Sequence, residues 1–552
     1  MMFSSQAKIA KTLVLVLLSL ITVLVTSQIS NSQDRPIVWA TSPMNSIERQ
    51  EKRCSEVSEV SPASDCISER SLFGLNREHS KNIQLFSAKN EYEAFQIVVQ
   101  APSENLQNVN IELSDLTKPD GTSIGKENIT LYREHYIKVD RPSHPNWLAN
   151  PTRGKGWYAD GLIPFVDPVT GEDIQGAELD AVPFNLSAGY NQPIWVDIFV
   201  PKSASAGEYQ GTYTVQSDGG ISKGQIKLTV WNFDLPTQPS MNSFFDIWKD
   251  RGIEAQTLLL KHRLMSSQRI EYENQAQAFE ELGVISVRLP FWSGANYQTC
   301  KMDPAPSVSE FEDAAAKYQP DILRYVFSAD EIDKCEGIKA SLKEWAKNVH
   351  QAGLKHFIVA KPKPELYDDV DIWVVNPKMY YEARSEIAEV MQQGDEVWFY
   401  TGYSTDYSPL WHIDFAPINF RIPHGWIAQS LGLKGVLLSR TDTWTENPWQ
   451  DVPIYAEGDV DHPGVEMLFY PGDKVGLDQV VPSIRLKMLR EGMEDYEYIQ
   501  ILKELGYQDW AMSIVHQVGK DWKSWTKEPK ILSNARQKLG TKIHQLTTAN
   551  QS

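Results

Sequence analysis

At Leu235-Pro236-Thr237-Gln238-Pro239-Ser240 the chain changes rhythm, and that change constrains the fold more than any other feature. From Pro36 to about Gln238 one strand-like run follows another with no helical pattern between them. Examples are "NEYEAFQIVVQ" (90–100), "IWVDIFVP" (194–201), "GEYQGTYTVQ" (207–216) and "QIKLTVWNFDLP" (225–236). β-Branched and aromatic residues fill these runs and turn residues bound them, the pattern of an all-β sandwich. Beyond the Pro-rich hexapeptide, a good domain boundary, short apolar strands alternate with helical stretches such as "KASLKEWAKNVHQAG" and "RSEIAEVMQQG". Eight strand candidates begin at Ser243, Val284, Leu323, His356, Asp371, Glu396, Gly435 and Val465, which predicts a parallel (β/α)8 barrel of the TIM type. The final long helix starts after Ser483, a good N-cap, with Leu489, Met493 and Tyr496 on one face. The expected organisation is a β-sandwich over 36–238, a barrel over 239–505 and a C-terminal helical tail over 506–552.

The first residues are expected to be an export signal. Lys8 and Lys11 precede an almost wholly apolar run from Thr12 to Val25, and Val25-Thr26-Ser27 offers small residues for cleavage. The run is too short for a membrane span, so residues 1–27 read as a signal peptide and the protein as secreted or periplasmic. Losing both lysines takes the formal charge from −19 to about −21. A field of that sign repels nucleic acid and anionic membrane, so neither is an expected partner. In an oxidising compartment the four cysteines invite disulfides. Among the three connectivities we expect Cys54–Cys66, bracketing a short Ser-rich stretch, and Cys300–Cys335. The latter two lie in loops after consecutive barrel strands, which emerge on one face. No metal-ligand spacing appears, and neither a metal nor a cofactor is expected.

Barrel active sites sit at the C-terminal ends of the strands, where "YVFSADEIDKC" (325–335) places the carboxylates Asp330 and Glu331. Trp248, Arg288, Trp292, Lys361, Tyr400, Trp444 and Tyr470 are expected on the same rim, with Asp246 and Asp414 as further acids. The chain has 17 Trp and 22 Tyr. Their flat apolar faces suit the C–H faces of sugars, and a rim of aromatics with an acid suits a glycan or glycoconjugate substrate. Successive strand residues point to opposite sides, so the adjacent pair cannot flank one bond as nucleophile and acid. A substrate-assisted scheme fits better, with Glu331 as general acid and Asp330 orienting a 2-acetamido group. A sugar without an acetamido group would need a second carboxylate across the cleft, from Asp246 or Asp414. A non-catalytic carbohydrate-binding or surface protein is the other alternative. No Gly-x-Ser-x-Gly elbow, phosphate loop or dinucleotide fingerprint is present, which counts against esterase, kinase and oxidoreductase chemistry.

The tail "FYPGDKVGLDQVVPSIRLKMLREGMEDYEYIQIL" resembles the signature of domain of unknown function 4091, the catalytic part of glycoside hydrolase family 123. "WHIDFAPINFRIPHGWIAQSLGLKGVLLSRTDTWTENPWQD" resembles the same domain. "NEYEAFQIVV", "IWVDIFVPKSASAGEYQGTYTV" and "VWNFDLP" resemble the family's N-terminal sandwich. The resemblance implies a retaining, substrate-assisted β-N-acetylgalactosaminidase whose Asp-Glu pair falls on Asp330 and Glu331. One departure is Ile332, where the family usually has proline. The motif "REGMEDYEY" is expected to fix helix packing through ion pairs rather than to touch substrate.

Overall fold

A computed structural model describes residues 35–50, 80–144, 149–267, 275–401, 407–457 and 460–549. The proposed signal peptide, Cys54 and Cys66 lie outside the described residues.

The N-terminal part is β-rich, with two sheets packed face to face. One runs in the order Ile37–Thr41, Glu91–Gln100, Asn191–Val200, Ile129–Val139, Gly156–Pro164, antiparallel throughout. The main path of the other is Ile83–Lys89, Gly220–Asp234, Gly207–Ser217, Leu106–Leu113, Phe184–Leu186. Strand 207–217 shows why a sheet forms there: Tyr209, Tyr213 and Val215 turn inward while Glu208, Gln210, Thr212 and Gln216 face out, the period-two alternation of a half-buried strand. Those inward residues meet Phe95, Ile97, Val99, Ile194, Val196 and Ile198 of the first sheet in one core. Each such side chain stabilises the fold by about 1.5–3 kcal/mol relative to exposure. Strands 91–100 and 191–200 are buried on both faces, because Trp195 and Ala94 join the core shared with the C-terminal part.

The C-terminal part is α/β. Its parallel sheet runs Asn242–Phe245, Gly435–Leu438, Glu396–Phe399, Ile372–Val375, Lys355–Val359, Leu323–Asp330, Ser286–Arg288. These seven strands make a nearly closed barrel, and strands 242–245 and 286–288 do not pair with each other. A single parallel bridge, Phe245 to Ser266, continues the first strand's free side. Aromatic rings fill the interior: Phe357 lies 4.9 Å from Phe327, 5.1 Å from Tyr325 and 5.3 Å from Trp398.

The expected eighth strand is not in this sheet. Strand 435–438 pairs directly with 242–245 and takes the edge an eighth strand would need. In "VEMLFYPG" only Phe469–Tyr470 is a strand, and it pairs antiparallel with Val481–Pro482. That segment is apolar because Val465, Met467 and Tyr470 pack on Ile137, Tyr158 and Ile163 of the N-terminal part.

Helix Ile484–Glu504 ties the two parts together. The Ser483 hydroxyl accepts from the Leu486 amide at 3.1 Å and caps it. Its charged side chains are buried in pairs: Arg490 on Asp197 at 2.9 Å, Lys487 on Asp197 at 2.7 Å, and Asp495 accepting from Arg421 Nε at 2.6 Å. Burial alone would raise the Asp197 carboxyl, but Arg490 and Lys487 outweigh it and hold it far below the carboxylate range. The last helix, Pro529–Ala549, returns to the sandwich. There Arg536 bonds Glu91 and Glu93, and Gly540 lies so close to Trp231 that a Cβ would sit 2.2 Å from its ring.

Candidate active site

Strand Leu323–Asp330 ends at the barrel mouth, and the next residue breaks its geometry. Glu331 is left-handed, with φ 51° and ψ 43°, a region that costs a non-glycine residue about 1–2 kcal/mol. The turn ends strand alternation at Asp330, so the rule that would send the two carboxyls to opposite sides stops applying one residue early. Both residues remain partly exposed. A 3-10 turn, Ile332–Lys334, leads to Cys335, which is joined to Cys300 with the Cα atoms 5.1 Å apart. The Lys361 amide and the Lys363 ammonium hold this turn through the Asp333 carboxylate and carbonyl, at 3.0 and 3.1 Å. The strained acid thus sits in a braced loop.

Tyr400, at the end of the sixth strand, donates its hydroxyl to Glu331 Oε1 at 2.5 Å and accepts from Asn376 Nδ2 at 2.9 Å. Burial, and then the Glu331 charge, hold this phenol well above its ordinary value, so it stays a donor. Burial raises Asp330 to about 7, helped by the neighbouring Glu331 and opposed by Arg288. Arg288 lies over Phe327 and Phe244, 5.2 and 5.4 Å from the ring centroids, and faces Asp246 at 3.9 Å. Asp246 is itself raised by burial, against Ser267 and Arg288. Asp330, Glu331, Arg288, Asp246 and Tyr400 therefore form one connected electrostatic group.

Two tryptophans border it. Trp292 meets Phe327 edge-on at 5.3 Å and is 42% exposed. Trp248 is 61% exposed, with its indole N–H on the Ser439 carbonyl at 2.7 Å and Arg440 over its ring at 4.6 Å. Buried Asp442 fixes the Trp248 loop, accepting from the Trp248 and Lys249 amides at 3.1 Å and from Arg251 at 3.0 Å. Trp444 is half-buried under Arg251, 3.6 Å from its centroid, with its N–H on the Phe469 carbonyl.

Other expected rim residues lie elsewhere. Asp414 is fully buried and accepts from the Ser143 amide and hydroxyl, at 2.8 and 2.7 Å, and from Thr152 at 2.6 Å. Its carboxylate joins a barrel loop to the sandwich and, with no exposed surface, is closed to a sugar in the cleft. Tyr470 is equally buried, donates to Asp160 at 2.6 Å and stacks beside Trp449, which makes it part of the junction between the two parts. Lys361 pairs with Glu382 at 2.9 Å on the surface. Sequence reasoning missed Asn376 and Tyr297, the latter 53% exposed in the loop after the second strand. Among the described residues no group of three or more His, Cys, Asp or Glu side chains is arranged to hold a metal ion.

Two carboxyls in unequal surroundings at a barrel mouth can divide proton transfer and charge stabilisation between them. Residues 69–217 match the glycoside hydrolase 123 N-terminal domain, and residues 328–502, which begin two positions before Asp330, match the glycoside hydrolase 123 catalytic domain. No curated protein matches the sequence. The fold is similar to that of a family 123 glycoside hydrolase from Clostridium perfringens, at 14% identity and a TM-score of 0.61, over 93% of this chain and 99% of that one. A β-glucuronidase from Parabacteroides merdae (10% identity, 68% and 52% of the chains, TM-score 0.26) aligns too loosely to inform the argument. A family 5 xyloglucanase from Bacteroides ovatus (8%, 76% and 99%, 0.25) does so as well. With both matched domains in order along more than half its length, the chain belongs to glycoside hydrolase family 123.

Proposed function

We propose that the protein is an exported, retaining β-N-acetylhexosaminidase, acting on terminal β-linked N-acetylgalactosamine of a glycan or glycoconjugate by substrate-assisted catalysis. The observation that carries the reading is the adjacent acid pair at the barrel mouth: the left-handed turn at Glu331 leaves both carboxyls partly exposed beside Trp248 and Trp292, with Glu331 held by the Tyr400 hydroxyl. Protonated Glu331 gives its proton to the glycosidic oxygen as the C1–O bond breaks and its electron pair goes to that oxygen. The 2-acetamido oxygen attacks C1 from the opposite face and closes an oxazolinium ring. Ionised Asp330 accepts the acetamido N–H and balances the developing charge. Water, deprotonated by Glu331, then opens the ring at C1, and two inversions give retention. Trp248 and Trp292 supply the stacking surface.

The Clostridium perfringens relative is described by its hydrolysis of glycolipid glycans, which supports a glycoconjugate as the substrate class. The leader and the Cys300–Cys335 disulfide support export, and no helix among the described residues is long and apolar enough to cross a membrane. The same proposal divides the chain into a sandwich over 36–238, a barrel over 239–505 and a helical tail over 506–552. The test is hydrolysis of aryl β-glycosides with and without a 2-acetamido group, plus inhibition by a thiazoline mimic of the cyclised intermediate. Cleavage confined to acetamido sugars, with thiazoline inhibition, is expected. Trapping of a covalent adduct by a 2-fluoro sugar without thiazoline inhibition would refute the scheme and turn attention to Asp246 as a second carboxylate.

A further inference from the structure

A groove of about 790 Å³ opens where the N-terminal sheets meet the loop Asn447–Asp451 that follows the last barrel strand. None of the carboxylate-cleft residues lines it. Its size falls in the roughly 300–1,000 Å³ range of small-molecule sites. Trp157 stands on its wall, 42% exposed. The Arg49 guanidinium lies 4.2 Å from the Trp157 ring and 5.6 Å from Tyr190, which steadies an aromatic platform. Two buried side chains line the same groove, Glu134 at 2% and Asn191 at 1% exposure. Each keeps one oxygen, Glu134 Oε1 and Asn191 Oδ1, with no hydrogen-bond partner among the described residues. Buried polar atoms are normally satisfied, so these two oxygens, which are closed off from the groove surface, are places for ordered water at its base.

The charge on the walls does not select an ion. Burial raises Glu134 to about 8, so at neutral pH it is mostly uncharged. Burial lowers His135 to about 4, and its Nε2–H donates to the Trp449 carbonyl at 2.7 Å. Lys474 is paired with Glu178. Arg133 and Lys138 are offset by Asp140 and Asp451 around the rim, and Arg49 is the one cation in excess among the described lining residues, too little charge to hold a polyanion. An aromatic platform with neutral polar groups on the wall matches an uncharged saccharide, whose C–H face stacks and whose hydroxyls bond.

We propose that this groove is a second glycan-binding site, distinct from the carboxylate cleft, that takes an uncharged oligosaccharide by stacking on Trp157 and bonding its hydroxyls to the accessible amides of Asn447 and Gln450 on the wall. Its role rests on the proposed function: a second sugar site on a glycan-acting enzyme retains the glycan while the cleft acts on it. Full-length Glu331→Gln protein is titrated calorimetrically with chitopentaose and cellopentaose, with and without Trp157→Ala. At least one sugar is expected to bind, and Trp157→Ala to weaken it by about tenfold or more. In the active enzyme Trp157→Ala leaves hydrolysis of a small aryl glycoside unchanged within about twofold, because the small substrate does not reach the groove. Hydroxyl-radical footprinting reads the groove directly: Trp157 is labelled in the free protein and protected by the sugar. Equal affinity in the two proteins, no binding of either probe, or a Trp157 already protected in the free protein overturns the proposal. The last result would mean that the chain's own residues fill the groove.

Discussion

The Tyr400 hydroxyl donates to Glu331 Oε1 at 2.5 Å across the barrel mouth, from just past the sixth strand to the residue just past the third. Asn376 donates to the same phenol oxygen and fixes its direction. Glu331, in its left-handed backbone position, is thereby held by a hydroxyl reaching from another strand.

Tyr400 is accordingly a positioning residue. Tyr400→Phe removes the bond and keeps the ring, so kcat on a poor-leaving-group substrate should fall by about 10- to 100-fold with little change in KM. Steady-state kinetics check this. An equal rise in KM with unchanged kcat would assign the hydroxyl to substrate binding instead.

The raised Asp330 gives a pH signature. Its ionised form is the working one, and burial and Glu331 disfavour that form until the pH exceeds about 7. On an aryl N-acetyl glycoside that needs no acid, kcat/KM should climb with pH through about 7 and then level, and Asp330→Asn should abolish the limb. Stability moves the opposite way. The folded value lies above the unfolded one near 4, so stability falls as pH rises through that window, by roughly 1.4 kcal/mol per unit at most. Asp330→Asn should melt higher than wild type at pH 8 and gain nothing at pH 4.

The strand rhythm was readable because most strands bury one face or lie between two apolar layers, and both leave a pattern in the residues. "VEMLFYPG" carries the same apolar signature for another reason, contact with Ile137 and Tyr158 of the other part. A run of residues does not say which neighbour covers it. Asp330, Glu331, Trp248 and Trp292 were found as polar or aromatic residues at strand ends. Tyr470 satisfies the same rule, and Asp414 was a candidate acid from a loop, but their partners, Asp160 and Ser143, stand 310 and 271 residues away. Asn376 was hidden by a local role, since its Oδ1 caps the helix starting at Pro377 while its Nδ2 bonds Tyr400.

The disulfide should be detectable in unreduced protein as a Cys300–Cys335 peptide. Cys335→Ser releases a 35-residue separation, which the loop-entropy model puts at about 2–4 kcal/mol of stability. Chemical denaturation measures it. Free thiols at both positions, or Cys335 joined to Cys54 or Cys66, would contradict the bond.

Arg490 tests the junction. It shares Asp197 with Lys487 at the interface of the long helix and the sandwich. Arg490→Met leaves a buried carboxylate short of one partner, and unfolding free energy should drop by about 3–5 kcal/mol. Substituting both members, Arg490→Met with Asp197→Leu, should recover part of that loss. No recovery would mean that the pair contributes only through packing.

The central claim is that Glu331 supplies the proton to the leaving group, and comparing two substrates on Glu331→Gln tests it most directly. With a poor leaving group, turnover should fall by roughly 100- to 10,000-fold, because glutamine keeps the shape but has no proton to give. With an aryl leaving group that departs unprotonated, the loss should be far smaller. An equal loss on both substrates would contradict the assignment.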